Sequence, residues 1–580
     1  MTRSCVVAVV VLAVGCGASG AGRKSRAIRT RASPPAPAPA PAPPSTRLAL
    51  DVTSLPVQTE GGVISVNPAD ADDGVELTMR LVGGPQDGAA QRTGQALFDV
   101  RGVAGLQGPW DDRTRLRCEV RAADEVLEGV ERSARAHLVL RDAEGRQMFL
   151  PDALLSGWTE GSDGWVRLEG RPTTRIPIPL GHVDEGFDAS RVEAVGVGLD
   201  AQRPADDVSE GKVQVRHLSV EVGPEVVPEV PAPDPAIRAG ETERARRMER
   251  RLAQRLGVGD GDLAVGVNLP HPSVEGPDGE VMQLYARYLD ASEAWFGEHQ
   301  DLTHPEVRQA LREDFARIRR VFGERAPVRV MLFGDLRTGL ETAPDGTPLG
   351  WSARARRSLA TLLEVAREER VVLIPVLTDF LMADGRDREG PGGEERVGER
   401  ADLILDPAKR RKFFELVEQL VRAHAGDPAV LVWEVMNEPE NAVAVVTHER
   451  FGALVRFLAE GVDAIHRAGE LATVGHRDPE AVPRLMRGRV ATDLGQAHYY
   501  PGREGGRAGF DLTASPEDAF GPLPAGWGEV PVRPGRVRSD LDEARDAGHR
   551  YLLYWAWRGD DPTGDGFRVR AHVEEIRDAL

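Results

Sequence analysis

Residues 429–440, AVLVWEVMNEPE, set ionisable side chains at the end of an apolar run. Ala429 to Glu434 is apolar except for its last residue, the pattern of a parallel strand buried on both faces. Pro439 has no amide hydrogen for a ladder, so the strand must end about where Glu438 stands. The carboxamide of Asn437 and the carboxylate of Glu438 then lie side by side at the carboxyl end of a buried strand. In α/β barrels that is the face on which catalytic groups sit. Competing barrel chemistries lack their residues. From residue 240 onward the only lysines are Lys409 and Lys412, both early in a predicted helix and neither at a strand end, so Schiff-base catalysis has no candidate. There is no His-x-His, no His-Glu-x-x-His and no cysteine cluster, and the Gly-rich pieces lack a following Lys-Ser/Thr. Carboxylate chemistry is what remains, with no cofactor and no metal implied.

The elements needed to hold such a site follow from Asp262 to the end of the chain, where apolar strands alternate with amphipathic helices. Strands are expected at Leu263–Leu269, Val328–Phe333, Val371–Leu377, Ala429–Val435, Leu471–Val474, Asp493–His498, Pro522–Glu529 and Tyr551–Trp557. Thr303-His304-Pro305-Glu306 reads as a capping box with an early proline, followed by a stripe of Val307, Leu311, Phe315, Ile318 and Phe322. A second stripe runs Phe451, Leu454, Val455, Leu458, Val462 and Ile465, stopped by Gly469. Eight such units make a (β/α)8 barrel, whose long loops at 271–302 and 378–406 can shape a cleft. A charged helix, Glu241–Leu256, leads into it.

The Asn437-Glu438-Pro439 motif at the end of the fourth strand resembles the retaining glycoside hydrolases of clan A, family 5 in particular. That resemblance implies Glu438 as general acid/base, its pKa raised by proximity to a nucleophile and by partial burial. It puts the nucleophile at the end of strand seven, where Glu529 is the only carboxylate of Pro522–Pro531; Glu504 and Glu517 come earlier, in polar loop sequence. The flank of Glu529, with Pro524, Gly526 and Gly528, departs from the aliphatic run of the relatives. The resemblance further implies that Arg329 holds the nucleophile ionised and that Asn437 binds the sugar 2-hydroxyl. By the same likeness His498 lines the sugar site and Tyr500 orients Glu529. A Trp lies under the sugar, and Trp555 and Trp557 both fit because period two sends them to one side of the strand. Trp351 and Trp527 read either as stacking surface or as core.

The rest of the chain reads as export and display. Residues 1–20 carry Arg3 and an apolar run from Val6 to Val14, too short to span a bilayer; Leu12-Ala13-Val14-Gly15-Cys16 resembles a lipobox with Cys16 as the lipidated residue. Residues 21–46 are a Pro/Ala stalk, about 35 Å long over its proline-dense part if extended as polyproline II. From 47 to 222 the period is two, with Gly, Asp and Pro turns, which predicts an antiparallel β-sandwich. Its last strand, Gly211–Val220, resembles that of galactose-binding-like jelly rolls, common carbohydrate-binding modules. Trp158 and Trp165 read either as sugar contacts or as plugs at the sandwich edge. Cys118 reads as a small buried hydrophobe. Residues 223–239, rich in proline, are a linker to the 240–580 barrel. At 580 residues the chain is expected to be multidomain, and its formal charge of −19 argues against nucleic acid and anionic membrane surfaces as partners. Membrane attachment is expected only through Cys16.

These features together imply an exported retaining β-glycosidase, cell-envelope lipoprotein or secreted, acting on a polymer such as β-mannan or β-glucan. Two alternatives remain: a carbohydrate-binding protein with a barrel that has lost turnover, and a transglycosidase. A separation of Glu438 and Glu529 well beyond about 5–5.5 Å would favour the first alternative.

Overall fold

The computed structural model describes residues 46–61, 63–69, 74–82, 92–103, 106, 110, 114–122, 134–150, 153–154, 165–170, 172, 186–201, 208–222, 230–259, 261–269, 273–275, 281–283, 302–334, 336, 339–383, 386–390, 393–397, 400–442, 451–477, 481–499, 512–557 and 569–580. Cys16, Trp158, Glu504 and Tyr500 lie outside them.

Alternating residues of the amino-terminal part form two antiparallel sheets. One is ordered Val166–Gly170, Thr114–Ala122, Val208–Val222, Val75–Val82, Val63–Pro68, with Thr46–Ala49 also paired to Val208–Val222. The other is ordered Val57–Gly61, Arg92–Asp99, Val192–Ala201, Ala134–Asp142, Gln147–Phe149, with Ala153–Leu154 beside Ala134–Asp142. Leu116, Cys118, Val120, Val213 and Val215 from the first sheet share one core with Phe98, Leu138, Leu140, Val195 and Val197 from the second. Cys118 is unpaired and buried there. Trp165 is half-buried, with the guanidinium of Arg216 3.9 Å and that of Arg121 4.8 Å from its ring centroid.

All eight expected barrel strands are present and close into one parallel barrel in chain order: Ala264–Asn268, Pro327–Met331, Val372–Asp379, Trp433–Asn437, Ala472–His476, Gly495–His498, Ala525–Pro531 and Tyr551–Trp555. We call these strands one to eight. Strand four begins later than the apolar run; Val430 contributes only an isolated bridge to Leu373. The helix after strand one spans Pro305–Phe322 and buries Val307, Leu311, Phe315 and Ile318. Its start departs from the expected capping box: His304 rather than Thr303 is the N-cap, its side chain makes no cap hydrogen bond, and Pro305 opens the first turn. The stripe after strand four forms helix Phe451–Arg467 and is buried as expected.

Helix Glu241–Leu256 closes the end of the barrel opposite the carboxyl ends of its strands. Met248, Leu252 and Leu256 pack with Ala264, Val372, Leu431, Leu471, Leu494 and Tyr551, which stand at or before the starts of six strands. Water is thereby excluded from the lower barrel, and charges inside it must be satisfied by one another.

Candidate active site

Strand four delivers three polar side chains to one pocket by breaking its own period. Glu434 pairs with Thr473 and Asn437 with Gly475 on strand five, so three steps on one strand match two on the other. This bulge turns Asn437 to the side that Glu434 occupies, and both bond to Arg329. Glu438 follows in the left-handed region, φ 42°, a conformation uncommon for a non-glycine residue and enriched at functional sites. Its N–H donates to Gly475 O at 2.7 Å. Pro439–Ala442 then form a 3-10 turn, from which Asn441 Nδ2 donates to Glu438 Oε2 at 2.7 Å.

Arg329 of strand two is the hub, 1% exposed. Its Nε and Nη2 donate to the two carboxylate oxygens of Glu434, each at 2.7 Å. Nη2 also donates to Asn437 Oδ1 at 2.6 Å, and Nη1 to Asn268 Oδ1 at 3.0 Å and Glu529 Oε1 at 2.6 Å. Burial opposes its charge, but Glu434 and Glu529 more than offset that and hold the guanidinium firmly protonated. The orientation of Asn437 is fixed chemically. Arginine only donates, so Oδ1 faces it; Nδ2 faces the carboxylate of Asp379, which accepts at 2.9 Å.

Glu529 reaches the same pocket through a second irregular stretch. Between Trp527 and Val530 strand seven has three steps against two on strand eight. The glycines that make this strand hard to read in sequence are there for room. A Cβ on Gly528 would sit 2.7 Å from Gln496 Cγ, and one on Gly526 would collide with the Tyr551 backbone. Asn268 Nδ2 donates to Gly528 O at 2.8 Å and ties the strand end to strand one.

His498, at the end of strand six, stands between the two carboxylates. Nδ1 is 2.9 Å from Glu438 Oε1 and 3.6 Å from Glu529 Oε2; facing carboxylates, it must carry hydrogen. Its Nε2 is buried without a hydrogen-bond partner among the described residues. One carboxylate oxygen from each of Glu438 and Glu529 and a ring nitrogen of His498 lie within 4.8 Å of one another. A cation could bridge such a set, but Arg329 already supplies positive charge to Glu529.

The protonation of the pair differs from the sequence expectation. Burial pushes the Glu438 carboxyl up, yet the His498 hydrogen bond and charge, with Arg477 and Arg329, bring it below the usual carboxylate value. The raised pKa expected for Glu438 is therefore corrected for this geometry. Burial lowers His498, while the Glu529 charge and the Glu438 bond lift it above the ordinary imidazole value. Both directions favour the proton on His498.

Of the aromatic candidates, Trp555 ends strand eight half-buried, and the Trp555–Ala556 peptide is cis. Trp557 is corrected. The strand and its period end before it, and its buried ring donates through Nε1 to Asp314 at 3.1 Å and packs edge-on against Phe322. Trp351, stacked on Phe333 at 4.3 Å, and Trp527, against Tyr499 and His549, are core residues. Five site-building residues escape a motif reading: Asn268, Asp379, Glu434, Asn441 and Gln496. For Glu434 and Gln496 a signal exists, a polar residue inside a barrel strand rather than at its end.

No family model matches the chain, and no curated protein matches it. Solved structures similar to it include an endo-1,4-β-mannanase from Eisenia fetida, 17% identical over 53% of this chain and 94% of that one, with a TM-score of 0.38. A β-1,4-D-mannanase from Cryptopygus antarcticus is 16% identical over 50% and 88%, TM-score 0.39. An exo-β-1,4-mannosidase from Opitutaceae bacterium strain TAV5 is 14% identical over 55% and 59%, TM-score 0.35. At these scores the likeness adds no weight to the geometry.

Proposed function

We propose that the carboxyl face of the barrel is the active site of a retaining β-glycosidase acting on a β-linked polysaccharide or oligosaccharide, of the β-mannan or β-glucan kind. The observation that supports this is the approach of Glu438 and Glu529 to within 4.8 Å at their nearest oxygens. Retention uses carboxyls about 5–5.5 Å apart, whereas inversion needs about 6.5–9.5 Å to admit a water. The wide separation expected of a barrel that has lost turnover is not what the residues adopt.

In this reading a Glu529 oxygen attacks the anomeric carbon as the glycosidic C–O bond breaks, and the proton on Glu438 passes to the leaving oxygen. Glu438, now ionised, takes a proton from water; that water attacks the same carbon and releases Glu529. With the proton favoured on His498, it must pass along the 2.9 Å hydrogen bond from Nδ1 to Glu438 Oε1 before the first step. Asn437 keeps one amide hydrogen, and His498 its Nε2, without a protein partner among the described residues; both suit sugar hydroxyls. Trp555 supplies a ring face for the sugar. Tyr500, next to Tyr499, is proposed to orient Glu529.

The test is a reducing-sugar assay of the full chain on mannans, glucans, xylans and galactans, with Glu438→Ala and Glu529→Ala. Each variant should lose activity by about a thousandfold or more, and azide should restore turnover in Glu438→Ala on activated substrates. Full activity in either variant ends the assignment. Export with lipidation at Cys16 is proposed separately; labelled palmitate should enter the wild type and not Cys16→Ala.

A further inference from the structure

The proposed chemistry gives no role to Glu434, a buried acid in direct contact with Arg329. Glu434 is fully buried beneath Arg329, too deep to touch a sugar, yet it takes two of that arginine's bonds against one for Glu529. Its own place is fixed from below. Gln496 Nε2 donates to Glu434 Oε2 at 2.6 Å, and the Tyr551 hydroxyl donates to Gln496 Oε1 at 3.0 Å. Carboxylates only accept, so this chain of bonds has one direction. Burial pushes the Tyr551 phenol up, which keeps it a neutral donor. The position is also cleared sideways, because any Cβ on Gly475 would collide with Glu434 Oε1.

We propose that Glu434 is a positioning residue for Glu529: it clamps the Arg329 guanidinium so that Nη1 stays on Glu529 Oε1, and it shares that positive charge so that Glu529 remains a good nucleophile. The inference rests on the reading of Glu529 as the attacking group. A carboxylate paired alone with a buried guanidinium is strongly stabilised as the anion and gives up its electrons reluctantly. Two carboxylates on one guanidinium divide that stabilisation. The groups facing Glu529 include, among the described residues, Arg329 at 2.6 Å, His498 at 3.6 Å and Glu438 within 4.8 Å. Glu434 lies across Arg329, and Asp379 stands one step away behind Asn437.

The sign follows. Removing the Glu434 charge leaves Arg329 to Glu529, so Glu529 holds its proton less tightly and attacks less well. In Glu434→Gln the acid limb of kcat/KM should move down by about one pH unit, and its plateau should fall about ten- to a hundredfold. Glu434→Asp keeps the charge but is too short for both bonds; its limb should stay in place while the plateau falls. A merely structural role would lower the plateau without moving the limb. Carbon-13 titration of the Glu529 carboxyl, assigned by its loss in Glu529→Gln, reads the same shift without turnover. If the wild type cleaves no β-glycan, the proposed function fails while this titration still decides the role of Glu434. An unshifted Glu529 midpoint in folded Glu434→Gln overturns the proposal. Should Glu434→Gln not fold, the plateau of Glu434→Asp decides: a wild-type plateau, or a fall that adds in full to that of Arg329→Lys, overturns the proposal, and a fall that disappears in the Arg329→Lys background supports it.

Discussion

At the scale of single residues, the site is a contest over where protons and charges rest. Arg329 and His498 face Glu434, Glu438 and Glu529. His498 is raised, so its contribution to stability is complete below its ordinary value of 6.5 and is lost as pH climbs through the raised value. Glu438 is lowered, so its contribution is complete above 4.5 and is lost as pH falls through the lowered value. Between those two pH values the pair stabilises the fold most. His498→Asn should therefore cost about 1.5–3 kcal/mol near pH 5.5, and less at pH 3 or pH 9, by urea denaturation; a difference that does not change with pH would refute the ion pair. The same proton governs the first chemical step, so the alkaline limb of wild-type kcat/KM belongs above the ordinary histidine value. Glu438, His498 and Asn437 could be placed from sequence because each stands at a strand end, and Arg329 because a charge inside an apolar strand resembles the family pattern. The protonation state could not, since it depends on His498 standing between two acids from strands four and seven.

At the scale of elements, the strands that carry chemistry are the irregular ones. Strand order and helix stripes were legible in apolar periodicity, and all eight strands lie within a few residues of where the pattern puts them. The bulges in strands four and seven were not legible, because an extra residue in a ladder depends on the partner strand. They also explain the weak sequence of strand seven. Its glycines avoid collisions with Gln496 and Tyr551 rather than mark a turn. Gly528→Ala would force Gln496 off its bonds to Glu434 and Tyr551. We expect a loss of about 1–3 kcal/mol in stability, as for overpacked cores, with a fall in kcat. Adding Gln496→Ala should return part of the stability by making room, and calorimetry on the four proteins of this double-mutant cycle checks it. Purely additive losses would show that Gly528 is needed for some other reason.

At the scale of the whole molecule, two acids 91 residues apart in sequence (529 less 438) meet because a closed barrel brings strands four and seven to one mouth. That closure draws on residues from 230 onward. Linker and barrel are joined directly: Asp234 N donates to Gly488 O at 2.7 Å, and Arg489 Nε to Pro231 O at 2.7 Å. Glu241 is held by Arg487 at 2.8 Å, which fixes the start of the helix that seals the lower barrel. The sandwich has its own core, with no residue in common with the barrel cores. A chain of residues 230–580 should consequently fold alone, with a cooperative thermal transition and kcat/KM within about twofold of the full chain on a soluble oligosaccharide, as expected when no catalytic contact is removed. A chain of residues 258–580 removes the sealing helix and uncovers Leu431, Leu494 and Tyr551. It should lose the cooperative transition, since each such side chain returned to water costs about 1.5–3 kcal/mol. If 230–580 unfolds as well, the barrel depends on the sandwich for its stability, and the two cores are one folding unit.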